Sequence, residues 1–131
     1  MPSVAGAAKV FAGLTAVVIL FQLALAAGAP WGAYAMGGAF PGTYPPEMRV
    51  AAVVQAAIVA GVAAIVLARA GMAFPQWRPL RLAWAVVALL AVGVVLNLIT
   101  PSGGERLVWA PVALMLFLCA LRVAAGSPAS R

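Results

Sequence analysis

The sequence VAAVVQAAIVAGVAAIVLA, residues 50–68, is an apolar run bounded by Arg49 at one end and Arg69 at the other. A helix needs about 20 predominantly apolar residues to cross a hydrocarbon core of about 30 Å. This run reaches that length without a charged side chain, so it predicts a membrane-spanning helix. It also lacks the alternation of apolar and polar residues that marks the much shorter strands of a membrane β-barrel.

Three further apolar runs accompany it, separated by segments rich in glycine and proline that indicate turns. The shortest, Leu107 to Leu121, spans roughly 22 Å as a helix, and the flanking Arg106 and Arg122 can extend their charges to the two interfaces. We therefore predict an all-α integral membrane four-helix bundle made of two antiparallel transmembrane hairpins. The predicted helices cover residues 7–29, 49–70, 80–99 and 105–125 of a single domain, 1–131, with an outer loop at 30–48.

The composition of the whole chain supports a membrane protein. Its 131 residues are 66% hydrophobic and 8% charged, with a mean hydropathy of +1.14, whereas a soluble domain carries roughly 25% charged residues. The first apolar run is longer than the 7–15 residues typical of a signal-peptide core. We therefore expect helix 1 to remain in the mature protein.

The positive charges predict the orientation of the helices. Six of the eight fall on one side of the predicted membrane and two on the other, where each of the two lies close to a glutamate. The positive-inside rule then places both termini in the cytoplasm, with the protein as a multi-pass component of a plasma membrane. The six are Lys9, Arg69, Arg78, Arg81, Arg122 and Arg131, and the two are Arg49 and Arg106.

Small side chains predict how the helices pack. Alanine recurs every fourth residue along helix 2, and such stripes let membrane helices approach closely. We expect helix 2 to occupy a central position, with the stripe also available for self-association or for a membrane-protein partner. The stripe consists of Ala52, Ala56, Ala60, Ala64 and Ala68.

The sequence lacks most of the residue types that bind metals or act as catalytic bases. The chain has no histidine, no aspartate, one cysteine and two glutamates. It therefore lacks the usual ligand sets for zinc or iron and a histidine base that would activate a nucleophile. Cys119 lies within an apolar span, where a thiol is unreactive. We therefore predict that the protein is not an enzyme and binds no metal or cofactor. We also predict that it does not bind nucleic acid, because its positive charges are few and their distribution follows membrane topology.

Polar and aromatic residues concentrate in the outer half of the predicted bundle. The amides of Gln22, Gln55 and Asn97 all fall there. They either form hydrogen bonds between helices, which is the simpler interpretation, or line a pocket that opens outward. The candidate rim of such a pocket consists of Trp31, Tyr44, Glu47, Arg49, Glu105, Arg106 and Trp109.

The outer loops carry a resemblance to known sequences. The segments GAPWGAYAMGG (28–38), PGTYPPEMR (41–49) and LNLITPSGGER (96–106) are similar to those of small, uncharacterised four-span integral membrane proteins of actinobacteria and related bacteria. The resemblance covers the full length and centres on these loops. It implies the four-span fold and no particular activity.

Two classes of function agree with these features. The first is an accessory or scaffold subunit that recognises a partner through its outer face, and the aromatic outer loop favours it. The alternative is a small oligomeric transporter or channel that uses the polar zone around Gln22, Gln55 and Asn97, although no acidic residue lies within a predicted span to couple transport. Membrane lipids are expected partners in both cases, and Arg49 with Arg106 could hold a lipid phosphate.

Overall fold

The computed structural model describes residues 3–74 and 76–126 of the chain. This part of the protein contains four long α-helices, two single-turn 3-10 helices and no strand, which confirms the all-α class. The short turns, Gly32–Tyr34 and Met36–Gly38, lie between the first two long helices. In chain order the long helices are α1 (Val4–Ala27), α2 (Pro46–Arg69), α3 (Leu80–Ile99) and α4 (Gly103–Ala125).

The helix boundaries lie within a few residues of the predicted ones, and capping residues explain the differences. Helix α1 begins early because the Ser3 hydroxyl accepts a hydrogen bond from the Gly6 backbone N–H at 2.9 Å, and it ends where Gly28 turns left-handed with φ +109°. Helix α2 begins early because Pro46 fits the first helical position. The ends of the predicted domain, residues 1–2 and 127–131 with Arg131, lie outside the described residues.

Each of the four described helices is long and apolar enough to cross a membrane. They contain 20 to 24 residues, with a mean hydropathy between 2.2 and 2.6, and at 1.5 Å per residue they extend about 30–36 Å. That length matches a hydrocarbon core of about 30 Å. The chain therefore has the helices of a multi-pass membrane protein.

The two ends of the bundle are built differently. At the end that we call the loop end, the α1–α2 loop (28–45) contacts the α3–α4 turn (100–102), and the Ser102 hydroxyl donates a hydrogen bond to the Ala33 carbonyl at 2.7 Å. At the opposite end, which we call the terminal end, the Arg69 guanidinium donates to the Gly126 carbonyl at 2.9 Å. The loop end corresponds to the side that the sequence predicts as outer.

Helix α4, rather than α2, occupies the centre of the bundle, which corrects the expectation drawn from the alanine stripe. In an 18-residue stretch of α4, 39% of the residues are buried, against 17% in each other described helix. Ala52, Ala56 and Ala68 of the stripe are buried inside the protein, but Ala60 and most of its neighbours are exposed. The reason is that α2 packs chiefly against one neighbour, α1, whereas α4 packs against both α1 and α3.

The main core lies toward the terminal end and is made largely of small side chains. Close approach of the helices there relies on alanine, valine and one cysteine around the ring of Phe11, which is fully buried. This packing holds the helices together at the terminal end. A second, smaller cluster of buried residues lies at the loop end. The main core contains Val4, Ala7, Ala8, Phe11, Val66, Ala70, Ala83, Val86, Val87, Leu116, Cys119, Ala120, Val123 and Ala124.

Candidate binding surface at the loop end

The α1–α2 loop is attached to the start of α4 by side-chain hydrogen bonds. Ser102 caps α4 by accepting the Glu105 backbone N–H at 3.1 Å, while its own hydroxyl donates to the Ala33 carbonyl. The Glu105 carboxylate, 9% exposed, accepts the Gly37 backbone N–H at 3.0 Å. A carboxylate near a helix N-terminus is favourable. These bonds hold the loop in one position on the bundle.

A close approach of backbone segments sets the shape of the loop. The Gly32 N–H donates to the Gly42 carbonyl at 2.9 Å, which closes the loop on itself. A Cβ atom on Gly32 would collide with the carbonyl oxygens of Phe40 and Gly42. Only glycine fits at this position, so the loop fold depends on it.

A small core lies beneath the loop. Leu25, Tyr44 and Ala52 are buried together, and the Tyr44 ring meets the Phe40 ring at 6.1 Å with an edge-to-face angle of 79°. Burial raises the pKa of the Tyr44 phenol above its ordinary value, and the negative charge of Glu105 raises it further. Tyr44, which was expected at a binding rim, is 3% exposed and anchors the loop instead.

Aromatic side chains above this core surround an apolar groove of about 560 Å³. The Phe21 ring lies 4.7 Å from Trp109 and 6.2 Å from Trp31, in an edge-to-face and a stacked arrangement respectively. Trp31 remains 46% exposed, so the groove is accessible from the surface. The groove is lined by Val17, Leu20, Phe21, Ala24, Trp31, Tyr34, Val108 and Trp109.

The lining of the groove is almost entirely apolar. Its α1 wall, from Val17 to Ala24, extends about 10 Å along the helix. Tryptophan and tyrosine combine large apolar rings with one N–H or O–H each, so they can bury an apolar group and orient it. Among the described residues that line the groove, the Tyr34 phenol is the one ionisable group.

Arg49 and Arg106, the two arginines expected at the rim of a pocket, contact the carboxyl ends of neighbouring helices. The Arg49 Nε donates to the Tyr44 carbonyl at 3.1 Å, and its guanidinium packs against Gly28, where α1 ends. Arg106 donates to the carbonyl of Thr100, the cap residue that follows α3, at 2.6 Å. A cation beside the carboxyl end of a helix is stabilising, so both arginines have a structural role.

The three amides do not line the groove. Gln22 is half-buried and Gln55 is exposed on α2, while the Asn97 amide donates to the Gly93 carbonyl of its own helix at 2.8 Å. Glu47 is exposed in the first turn of α2. The groove lies among aromatic residues and includes none of the three amides. A pocket made by the amides therefore stays a prediction.

Of the residues that line the groove, Trp31 and Trp109 were predicted as site residues, whereas the aromatic residues Phe21 and Tyr34 were not. The prediction within the spans rested on polar groups, and Phe21 contributes only its ring. The signal that could have found Phe21 is its position, an aromatic residue about two turns before the Gly28–Trp31 segment. Comparison with protein-family models, curated proteins and solved structures finds no match to the chain.

Proposed function

We propose that this protein is an accessory subunit of the bacterial plasma membrane, which recognises a membrane-protein partner through its loop end. The groove formed by Phe21, Trp31, Tyr34 and Trp109 carries the proposal. The loop that carries Trp31 and Tyr34 is hydrogen-bonded to Ser102 and Glu105 at the start of α4. A surface that is already ordered loses less entropy on binding.

The proposal includes an orientation. Helices α1–α2 and α3–α4 form two antiparallel hairpins with both termini in the cytoplasm, and the loop end faces the exterior. The distribution of positive charge, six against two, supports this arrangement. The proposal also retains the resemblance to small four-span proteins of actinobacteria and related bacteria.

The aromatic composition of the groove supports recognition of a protein partner. Tryptophan and tyrosine are enriched among the residues that contribute most to protein interfaces, especially where a pocket excludes water. Here two tryptophans and one tyrosine stand around one pocket. A partner's apolar side chains would therefore gain both buried area and oriented hydrogen-bond donors.

The transporter alternative has less support from the geometry. Asn97 already donates to a carbonyl of its own helix, and Gln55 is exposed on α2, away from the groove. A transport path through the amides would require an oligomer that brings Gln22, Gln55 and Asn97 to one lumen. Flux through liposomes that contain the purified protein tests this alternative directly.

The partner is tested by native mass spectrometry of the protein gently extracted from its own membrane. Wild type should give a discrete heteromeric mass. Trp31→Ala should weaken the complex by about 2 kcal/mol, as loss of an interface anchor does. The matched control is Leu107→Ala, since Leu107 is 81% exposed at the same end but lies outside the groove; it should leave the complex intact.

The outcomes separate clearly. The helical content of Trp31→Ala should equal that of wild type, because Trp31 lies in the loop, outside the four long helices. A wild-type protein that is only monomeric or homo-oligomeric would contradict the proposal. Equal complex formation by both variants would show that the partner binds elsewhere.

A further inference from the structure

The first half of α2 leaves most of its surface uncovered by the described part of the chain. On the side that packs against the bundle, Ala52 and Ala56 are buried. The other side chains from residue 50 to residue 61 are exposed, except that of Val59, which is half-buried. This uncovered surface is separate from the groove, whose lining comes from α1, the α1–α2 loop and α4.

Gln55 brings an amide into this otherwise apolar surface. Its side chain is exposed and makes no hydrogen bond to the described part of the chain. Thr15 and Asn97, by contrast, each donate to a carbonyl of their own helix. The packing of a single chain therefore does not account for the Gln55 amide.

The depth of Gln55 in the span makes an unpaired amide unfavourable. Gln55 is the tenth residue of the 24-residue helix α2, about 14 Å from the start of a helix about 36 Å long. In a bilayer this position lies within the hydrocarbon core, where no water is available to pair with an amide. An exposed amide at this depth points to a partner that supplies both a donor and an acceptor.

A second copy of the chain supplies both groups. A glutamine amide carries one acceptor oxygen and two N–H donors, so two Gln55 side chains at one depth can pair reciprocally across a two-fold axis. Copies that insert in the same direction place Gln55 at the same depth. The distribution of positive charge, six against two, supports a single direction of insertion.

The neighbours of Gln55 on α2 suit the packing of two helices. Ala51 lies four residues before Gln55 and Ile58 three residues after it, which places all three on one face of the helix. Ala51 is small and allows close approach, as at other interfaces between membrane helices. Ile58 is 50% exposed and supplies apolar contact area. We call Ala51, Gln55 and Ile58 the Gln55 face.

We propose that the protein forms a parallel homodimer through the Gln55 face, with the two Gln55 amides hydrogen-bonded to each other across the two-fold axis. The interface differs from the alanine stripe, because Ala52 and Ala56 of that stripe are already buried within one chain. It uses none of the residues that line the groove, so it is independent of the proposed partner surface.

The test is Förster transfer between donor-labelled and acceptor-labelled full chains in phosphatidylcholine vesicles over a range of protein-to-lipid ratios. The labels are attached at Met72→Cys in a Cys119→Ala background. Gln55→Leu should weaken dimerisation about eightfold, from the loss of two hydrogen bonds worth about threefold each. The matched control is Val53→Ala, since Val53 is 50% exposed on the opposite side of α2, and it should change dimerisation less than twofold.

Disulfide cross-linking in native membranes tests the same face while Gln55 stays in place, so it holds even where Gln55→Leu fails to fold. In the Cys119→Ala background, oxidation should link Ile58→Cys chains into dimers and leave Val53→Cys chains monomeric. The two native side chains are equally exposed, at 50%, and lie within three residues of Gln55.

Three results would overturn the proposal: no transfer at any protein-to-lipid ratio, equal dimerisation of wild type and Gln55→Leu, or equal cross-linking at positions 53 and 58. Trp31→Ala should dimerise as wild type does, because Trp31 lies outside the Gln55 face. Loss of the partner complex in that variant with the dimer retained separates the two proposals.

Discussion

Single arginine side chains close the carboxyl ends of three of the described helices. Arg49 lies against the end of α1, Arg106 donates to the cap residue of α3, and Arg69 donates to the end of α4. In each case a guanidinium on one helix satisfies carbonyls or offsets the dipole of another. Cations in the apolar chain thereby connect neighbouring helices at both ends of the bundle.

Tyr44 shows how one buried side chain makes the loop end sensitive to pH. Its phenol has a raised pKa because it is buried and because Glu105 adds negative charge nearby. Folding therefore favours the neutral phenol. This contribution to stability is fully present below pH 10.0, the ordinary pKa, and is lost as the pH rises through the higher pKa of the folded state.

Tyr44→Phe should remove this part of the pH dependence. We expect the thermal midpoint of wild type to fall more steeply above pH 10.0 than that of Tyr44→Phe, as measured by circular dichroism in detergent. Tyr34→Phe is the control, because the Tyr34 side chain is exposed, and it should follow wild type. Parallel curves for wild type and Tyr44→Phe would show that the phenol stays neutral in both states or ionises freely in both.

At the scale of elements, the α1–α2 loop is a folded unit rather than a flexible connection. It contains two 3-10 turns, a backbone bond from Gly32 to Gly42, and two side-chain bonds to α4. These bonds and turns set the backbone conformation at Trp31 and Tyr34. The groove therefore depends on a position, Gly32, that does not itself line it.

Gly32→Ala should open the loop without unfolding the helices. The added Cβ meets backbone oxygens that cannot rotate away, and such overpacking costs about 1–3 kcal/mol. Limited proteolysis should then cleave within residues 28–45 about tenfold faster or more, because local opening governs cleavage. Gly103→Ala is the matched control, since its added Cβ would have no described atom within 4 Å besides those of its chain neighbours and of its own helix backbone. Equal cleavage of both variants would refute the role of Gly32.

The helices could be predicted from the sequence, but the loop end could only be predicted in part. Uncharged apolar runs close to the length that a bilayer requires allow few structures other than spanning helices, and α3 begins and ends as predicted. The burial of Tyr44 depends on a loop that closes through Gly32 and Gly42. Such contacts between distant residues leave no periodic signal in the sequence.

The roles of Arg49 and Arg106 were within reach of sequence reasoning. Both lie at the fourth position of a helix, where a cation opposes the dipole of its own helix. In an antiparallel hairpin the carboxyl end of the preceding helix lies beside that position. An arginine at the fourth position of its own helix therefore indicates that the carboxyl end of another helix lies beside it, rather than an anionic ligand.

At the scale of the whole molecule, packing and recognition are separated along the bundle. The main core occupies the terminal end, around Phe11 and Val123, and the groove with its small supporting core occupies the loop end. The central claim is that the loop end faces the exterior of the cell. The proposed partner surface depends on this orientation.

The most direct measurement of that claim is labelling of single cysteines in intact cells with a membrane-impermeant maleimide. In a Cys119→Ala background, which removes the chain's one cysteine, Met36→Cys tests the loop end and Met72→Cys the terminal end. The native side chains are 62% and 39% exposed, respectively. The account predicts that Met36→Cys is labelled in intact cells and Met72→Cys only after permeabilisation. The reverse pattern, or labelling of both in intact cells, would contradict it.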